Sequence, residues 1–248
     1  MNHKHKEHNN PTRSQLPPDY YPKYYMYRND TANVKTLTAT SQPLNSENYK
    51  IHEYLNIPVL SGDFNPNVIN YINNNVKNDI LEFKSQMEAA ADENAKAMQQ
   101  AGKPVIPFQI SNNYVVTYNK NNLLSISLIY QQYINGRNSY IRTSYNYNLQ
   151  NARSMPLGDL FKPGSNYISV LNSKIRSILQ RNPQDYYPST ASNFKGITED
   201  QPYYLDNNNL VLFFGFNEIA PVASGIPLIK IPFSELSDIL NPQLLRSI

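Results

Sequence analysis

Four histidines are the scarcest chemistry-bearing residues of this chain, and three of them, His3, His5 and His8, fall at its very start. In Met1-Asn2-His3 a free terminal amine, two backbone amides and a third-position imidazole make a square-planar nitrogen set, the geometry suited to Cu(II) or Ni(II), with His5 and His8 as further ligands. The plainer reading is an incidental basic tail, and no metal site is assigned. His52 is the one histidine in the part that reads as folded, so a Ser/His/Asp triad would have to be built on it. No Gly-x-Ser-x-Gly elbow accompanies it, and a strand-surface residue is the plainer reading. With no cysteine, disulfides, thiolate metal sites and a Cys nucleophile are excluded.

The carboxylate pairs Asp92-Glu93, Glu199-Asp200 and Glu235/Asp238 fall on a predicted helix or in loops, where solvation explains them. Glu218 differs, because it lies between an apolar strand and Pro221. There its carboxylate can accept backbone N–H groups and fix a turn. The eight glycines are scattered singly, and Gly102, Gly136 and Gly225 read as turn residues, not as a phosphate-binding loop. These residues assign no catalytic, cofactor-binding or metal site.

A length of 248 residues allows a sizeable core in one large domain or two small ones. Tyr (20) outnumbers Phe (9) and Trp is absent, which fits sheets whose tyrosines lie half in the core and half in water. The net charge of +3 is small and scattered, with no basic helix, so nucleic acid is not an expected partner. No apolar run approaches the roughly 20 residues that span a bilayer. The basic start at 1–11 precedes no apolar core, so it does not read as a secretory signal. A protein that is cytoplasmic or spore-associated is the expectation.

Residues 1–48 read as a disordered leader rich in Pro, Asn, Ser and Thr, with a tyrosine cluster at 20–27 that can pack locally or dock on a partner. The body begins near Tyr49. Residues 50–60 read as a strand. A long helix follows, with Asn65 as N-cap and Pro66 in its first turn, and with Val68, Ile72, Val76, Ile80, Phe83 and Met87 on one face. It fades into alanine and stops at Gly102 with Pro104 beyond. Runs at 108–118, 123–134 and 140–149 read as three strands joined by Asn-rich turns, one starting at Asn135-Gly136. In the middle run Leu124, Ile126, Leu128 and Tyr130 alternate with Ser125, Ser127 and Ile129, so one side is more polar. A helical turn at 155–161, a second helix at 167–179, a loop-rich segment at 180–201, strands at 203–205, 210–216 and 228–231, and a terminal helix from Ser234 complete the reading. The fold class is α+β, antiparallel sheets packed against one long and one shorter helix.

The order of the motifs carries a family resemblance. Leu124-Ser125-Ile126-Ser127 and Tyr145-Asn146-Tyr147-Asn148-Leu149 follow the long helix. Leu157-Gly158-Asp159-Leu160-Phe161 precedes the second helix. Tyr203-Tyr204-Leu205 and Leu210-Val211-Leu212-Phe213-Phe214-Gly215-Phe216 lead to Glu218-Ile219-Ala220-Pro221, Ser224-Gly225 and Ile231-Pro232-Phe233-Ser234-Glu235-Leu236. Together they resemble a two-part bacterial module, domain of unknown function 4163 (residues 49–150) followed by domain of unknown function 3298 (residues 151–248). RsiV-like anti-sigma factors and the accessory region of the deacetylase PdaC carry it. The resemblance implies a non-enzymatic binding module. RsiV-like proteins present it outside the membrane and bind lysozyme with it, which makes a protein or glycan of the cell envelope the expected partner and Pro221, Val222, Ser224 and Gly225 the expected contact residues. This chain departs from its relatives at Arg137-Asn138-Ser139-Tyr140, where they often carry Gly-Ala-His, and at Val222, where they often place Tyr. Two other readings stay open. One is a structural or spore-associated protein of a Gram-positive bacterium, with tyrosines available for assembly or cross-linking. The other is a hydrolase built on His52.

Overall fold

Asn65 opens the longest element of the protein. In the computed structural model, which describes residues 37–242, its side chain accepts from Asn67 N at 2.9 Å. The tyrosine cluster and Met1-Asn2-His3 lie outside the described residues.

The first elements are β1 (Thr38–Glu47), β2 (Ile51–Ser61) and α1 (Pro66–Gln100), the helix that Asn65 caps. With Pro66 in the first turn, two features suit the helix start, since a prolyl nitrogen has no N–H to leave unpaired there. At its other end Gly102 takes φ +64, and Gly102 N donates to Gln99 O at 3.1 Å, closing the last turn. At 35 residues α1 is roughly 52 Å long. Val68, Ile69, Ile72, Val76, Ile80 and Met87 are buried, and Ala91 and Ala95 continue the buried stripe where the larger apolar residues run out.

Beyond α1 come β3 (Phe108–Lys120), β4 (Leu123–Ile134), β5 (Arg137–Asn148) and β6 (Arg153–Ser154). The two hairpins turn on Asn121-Asn122 and Asn135-Gly136, with φ of 52, 65, 50 and 80. Positive φ at both central residues matches strand twist, and asparagine and glycine tolerate it best. The six strands form one sheet in sequence order. One pair departs from the expected antiparallel arrangement: β2 and β3 run parallel, Ile51 opposite Phe108, because α1 crosses over between them.

Residues 38–47, expected to belong to a disordered leader, form a strand instead. They pair antiparallel with β2, from Thr38 opposite Ser61 to Glu47 opposite His52. As an edge strand it is exposed or half-exposed at every position, so it shows no alternation, and its outer side accommodates Pro43.

The second half opens with a 3-10 turn at Leu157–Leu160, then α2 (Tyr167–Arg181), the short α3 (Thr190–Asn193), and a three-stranded antiparallel sheet of β7 (Tyr203–Leu205), β8 (Asn209–Phe213) and β9 (Leu228–Pro232). The expected terminal helix is replaced by a 3-10 turn at Phe233–Glu235 and further turns, after which Leu240 bridges back to Phe161. Phe233 N, donating to Asn208 O at 2.9 Å, ties the start of this segment to the sheet, and the bridge ties its end to Phe161.

One core lies between α1 and the large sheet, a second between α2 and the small sheet. The second also takes Tyr118 and Leu123 from the large sheet. A third cluster, Tyr140, Tyr204, Val211, Phe213 and Ile226, fills the space between the sheets.

Candidate functional site

The alternation along β4 and β5 decides how the two sheets meet. Register places Ser125 opposite Asn146 and Ser127 opposite Ser144, so these polar residues share the face turned away from α1. That face is not wet. Ser125, Ser127 and Asn146 are buried, because the edge of β7 sits on them. Asp206 N donates to Asn209 O and Phe213 N to Pro202 O, so alternate residues of this hairpin bond toward β8. The outward groups of Tyr203 and Leu205 are met by side chains instead. Leu205 N donates to Ser125 Oγ at 2.9 Å, Ser125 Oγ donates to Asn146 Oδ1 at 2.5 Å, and Asn146 Nδ2 donates to Tyr203 O at 2.8 Å. Ser144 Oγ adds a second donor to Tyr203 O at 2.6 Å. The Tyr203 hydroxyl donates to Met155 O at 2.7 Å, and burial pushes its pKa up.

A groove of about 290 Å³ runs along this junction, with Arg142, Ser144 and Asn146 on one wall and Glu199, Asp200 and Gln201 on the other. Arg142 donates to Ser127 Oγ and lies over the rings of Tyr204 and Phe213, at 5.6 and 5.9 Å. Gln201 Nε2 donates to Phe213 O at 2.7 Å. Ser144, Asn146 and Arg142 thus join the two sheets, while Gln201 braces the smaller one.

The Pro corner lies at the far end of β8. Glu218 performs the role its position implies: its Oε2 accepts from Gly215 N at 2.6 Å. A side chain at 215 would crowd that carboxylate, since a Cβ there comes within 3.0 Å of Oε2. Ile219 O accepts from Tyr187 N at 3.1 Å and from Thr190 Oγ1 at 3.2 Å, and the Tyr187 hydroxyl donates to Asn217. Residues Val222–Ser224 form a 3-10 turn, closed by Ser224 N donating to Pro221 O at 2.8 Å. Val222 is 53% exposed and Ser224 is exposed, Pro221 is half-buried, and Gly225, at φ +72, is buried. Of the four residues expected to contact a partner, three therefore reach the surface and Gly225 supports the turn.

The other sequence candidates do not converge. His52 is half-exposed on the face of β2 opposite Ile51 and Glu53. Asp92 pairs with Lys50, and Glu235 with Lys174 at 2.8 Å, a hydrogen bond that holds the Glu235 carboxyl below its usual range. Among the described residues no group of three His, Cys, Asp or Glu is placed to share a metal ion. The sequence reading passed over Glu53, which is fully buried under α1 and pairs with Lys84 at 2.8 Å. Burial pulls the Lys84 ammonium down, but Glu53 and Glu88 outweigh it and hold its pKa above the usual value. A charged residue at a core position of an alternating strand, Ile51-His52-Glu53-Tyr54-Leu55, is the signal that marked it.

Two family models match the chain, one on each half. Residues 158–234 match the family described as protein of unknown function DUF3298, and residues 44–137 the one described as deacetylase PdaC. The first spans α2 and the small sheet, the second β1 through the β4–β5 turn. A solved structure of a DUF3298 family member from Bacteroides fragilis aligns with a TM-score of 0.63 at 16% identity, covering 85% of this chain and 95% of that one. A DUF3298 family protein from Pseudomonas aeruginosa aligns at 0.57 and 18% identity, over 84% and 95%. At such identities the likeness establishes the fold. No curated protein matches the sequence at a significant level. No described helix is long and apolar enough to cross a membrane.

Proposed function

We propose that this chain is a non-enzymatic binding module of the RsiV-like and PdaC-accessory kind, which holds a cell-envelope glycan or wall-active protein against the corner at 219–226. The observation that carries the reading is an exposed apolar side chain, Val222, on a turn whose backbone is fixed from both sides. A rigid corner loses little conformational entropy on association, so apolar contact there translates into affinity. An aromatic residue at this position would be a stronger anchor, and Val222 sets a correspondingly modest affinity.

The family matched at 44–137 is described as deacetylase PdaC, whereas this chain recognises its ligand without hydrolysing it. Titrating the full chain with soluble peptidoglycan fragments and with lysozyme, followed by calorimetry and by acetate release, tests both parts. Saturable binding by one of them, weakened about tenfold or more by Val222→Asp, supports the proposal. Silence with both ligands, or steady acetate release, overturns it.

A further inference from the structure

The large sheet ends on β1 at one side and, at the other, on β5 with the two-residue β6. These edges are built differently. β1 carries Pro43 on its outer side, which has no N–H to offer an arriving strand. β5 holds no proline or lysine along its length, and its Arg142 is turned onto the β7 face, where it donates to Ser127 Oγ.

Register decides which backbone groups meet the β5 edge. Ile134 and Arg137 flank the two-residue turn, so Arg137 and every second residue after it bond to β4. The residues between them, from Asn138 through Ser144 to Asn146, aim N–H and C=O outward. Asn146 O accordingly accepts from Met155 N at 2.9 Å, in line with the pairing of β6 to Tyr147 and Asn148. At Pro156 the chain leaves this row for the 3-10 turn, and among the described residues no strand continues it opposite residues 138–144. Roughly 20 Å of edge is thus open.

Two depressions flank that edge, about 170 Å³ on the α1 face and about 290 Å³ on the β7 face, and Thr143 lines both. Side chains of an added strand alternate between these faces. On the α1 face they meet Ile141, which is 47% exposed although it lies opposite the buried Tyr130. On the β7 face they meet Glu199 and Asp200, exposed carboxylates paired with no cation among the described residues. Asp79 and Glu82 of α1, which accept from Tyr145 and Gln86, make the surround on the other side acidic as well.

We propose that the outer edge of β5 docks an extended basic segment of another polypeptide, added antiparallel in the row that β6 begins. Its lysine or arginine side chains lie toward Glu199 and Asp200, and its aliphatic ones cover Ile141. Backbone pairing supplies affinity, and the alternate side chains supply the preference for a basic partner. The inference does not rest on recognition at the corner.

The test is calorimetry and amide exchange of the full chain with an acetylated, amidated octapeptide of alternating lysine and valine. In one control peptide glutamate replaces lysine; in another the lysine amides are N-methylated and cannot donate to the edge. Saturable binding of the lysine peptide, slowed exchange at the Ser144 amide, and about tenfold weakening by Glu199→Lys combined with Asp200→Lys support the proposal. Both substituted positions are exposed, so the variant is expected to keep its Tm. No binding of the lysine peptide at millimolar concentration, equal binding by either control, or binding that leaves Ser144 unprotected overturns it. So does a dimer in sedimentation that protects Ser144 without peptide, which would give the edge to a second copy.

Discussion

Asparagine is the residue that does the most unexpected work here. Three side-chain amides act as one-residue strands, each accepting from a backbone N–H and donating to the C=O of the same residue. Asn112 serves Asn56 at 2.6 and 3.0 Å, Asn73 serves Leu60 at 2.8 and 2.9 Å, and Asn119 serves Leu37 at 3.2 and 2.6 Å. Asn112 takes over just past the point where the β2–β3 pairing stops at Tyr54 and Ser111. Replacing Asn112 by Leu leaves both Asn56 groups unpaired and is expected to cost about 1–3 kcal/mol, read as a lower urea midpoint at constant m. Asn112→Asp costs more, since it turns a donor into a buried charge facing a carbonyl. The Glu53–Lys84 pair makes a second prediction at this scale. Lys84→Met strands a buried carboxylate and costs about 3–5 kcal/mol, whereas adding Glu53→Leu recovers most of that loss. A double-mutant cycle that finds the two effects additive would contradict this account. None of these three amide roles was legible in the sequence, because each depends on a residue 13 to 82 positions away.

Elements were legible where one local signal ruled them. Asn65-Pro66, a long stripe of apolar residues and Gly102 marked α1 from end to end, and Asn135-Gly136 marked a hairpin. In contrast, β1 was missed because an edge strand exposed on both faces carries no period-2 pattern, and its polar composition is that of a linker. The terminal segment failed the other way: Ser234 to Leu240 is helical in pattern, but the Phe161–Leu240 bridge holds it in turns. The serine-bearing face of β4 was read correctly as the more polar one. What its pattern did not show is the buried edge of β7 that Ser125 caps. Ser125→Ala removes the partner of Leu205 N and, at this scale, is expected to loosen the seating of β7. Amide exchange at Leu205 then quickens while exchange in α1 stays as it was.

At the scale of the whole molecule the halves matched by separate family models share structure. Tyr118 and Leu123 belong to the strands of one and to the core of the other, and three side-chain hydrogen bonds cross between the sheets at Tyr203 and Leu205. Tyrosine burial then governs the response to alkali. Burial pushes Tyr118 up from 10.0 to about 12, and Tyr130, Tyr145 and Tyr203 are raised further. The native state therefore holds protons that the unfolded chain releases. Their stabilisation is intact below pH 10 and declines as pH rises toward 12, with Tyr118 alone accounting for something on the order of 2 kcal/mol. Lys84, also raised, acts in the same direction. Urea midpoints measured from pH 8 to 11 are expected to hold steady and then fall above 10; a rise in that range contradicts the burial argument. The candidate site was only partly readable from sequence. Glu218 and its corner follow from a motif, but Ser125, Asn146 and Tyr203 come together through strand register and the seating of β7.

The functional claim concerns recognition at the corner, and hydrogen exchange of the full chain with and without lysozyme or soluble peptidoglycan fragments tests it most directly. Slowed amides at 219–226 with one of these ligands, on a molecule otherwise unchanged, is the predicted result. Protection confined to other segments, or none with either ligand at saturating concentration, contradicts it.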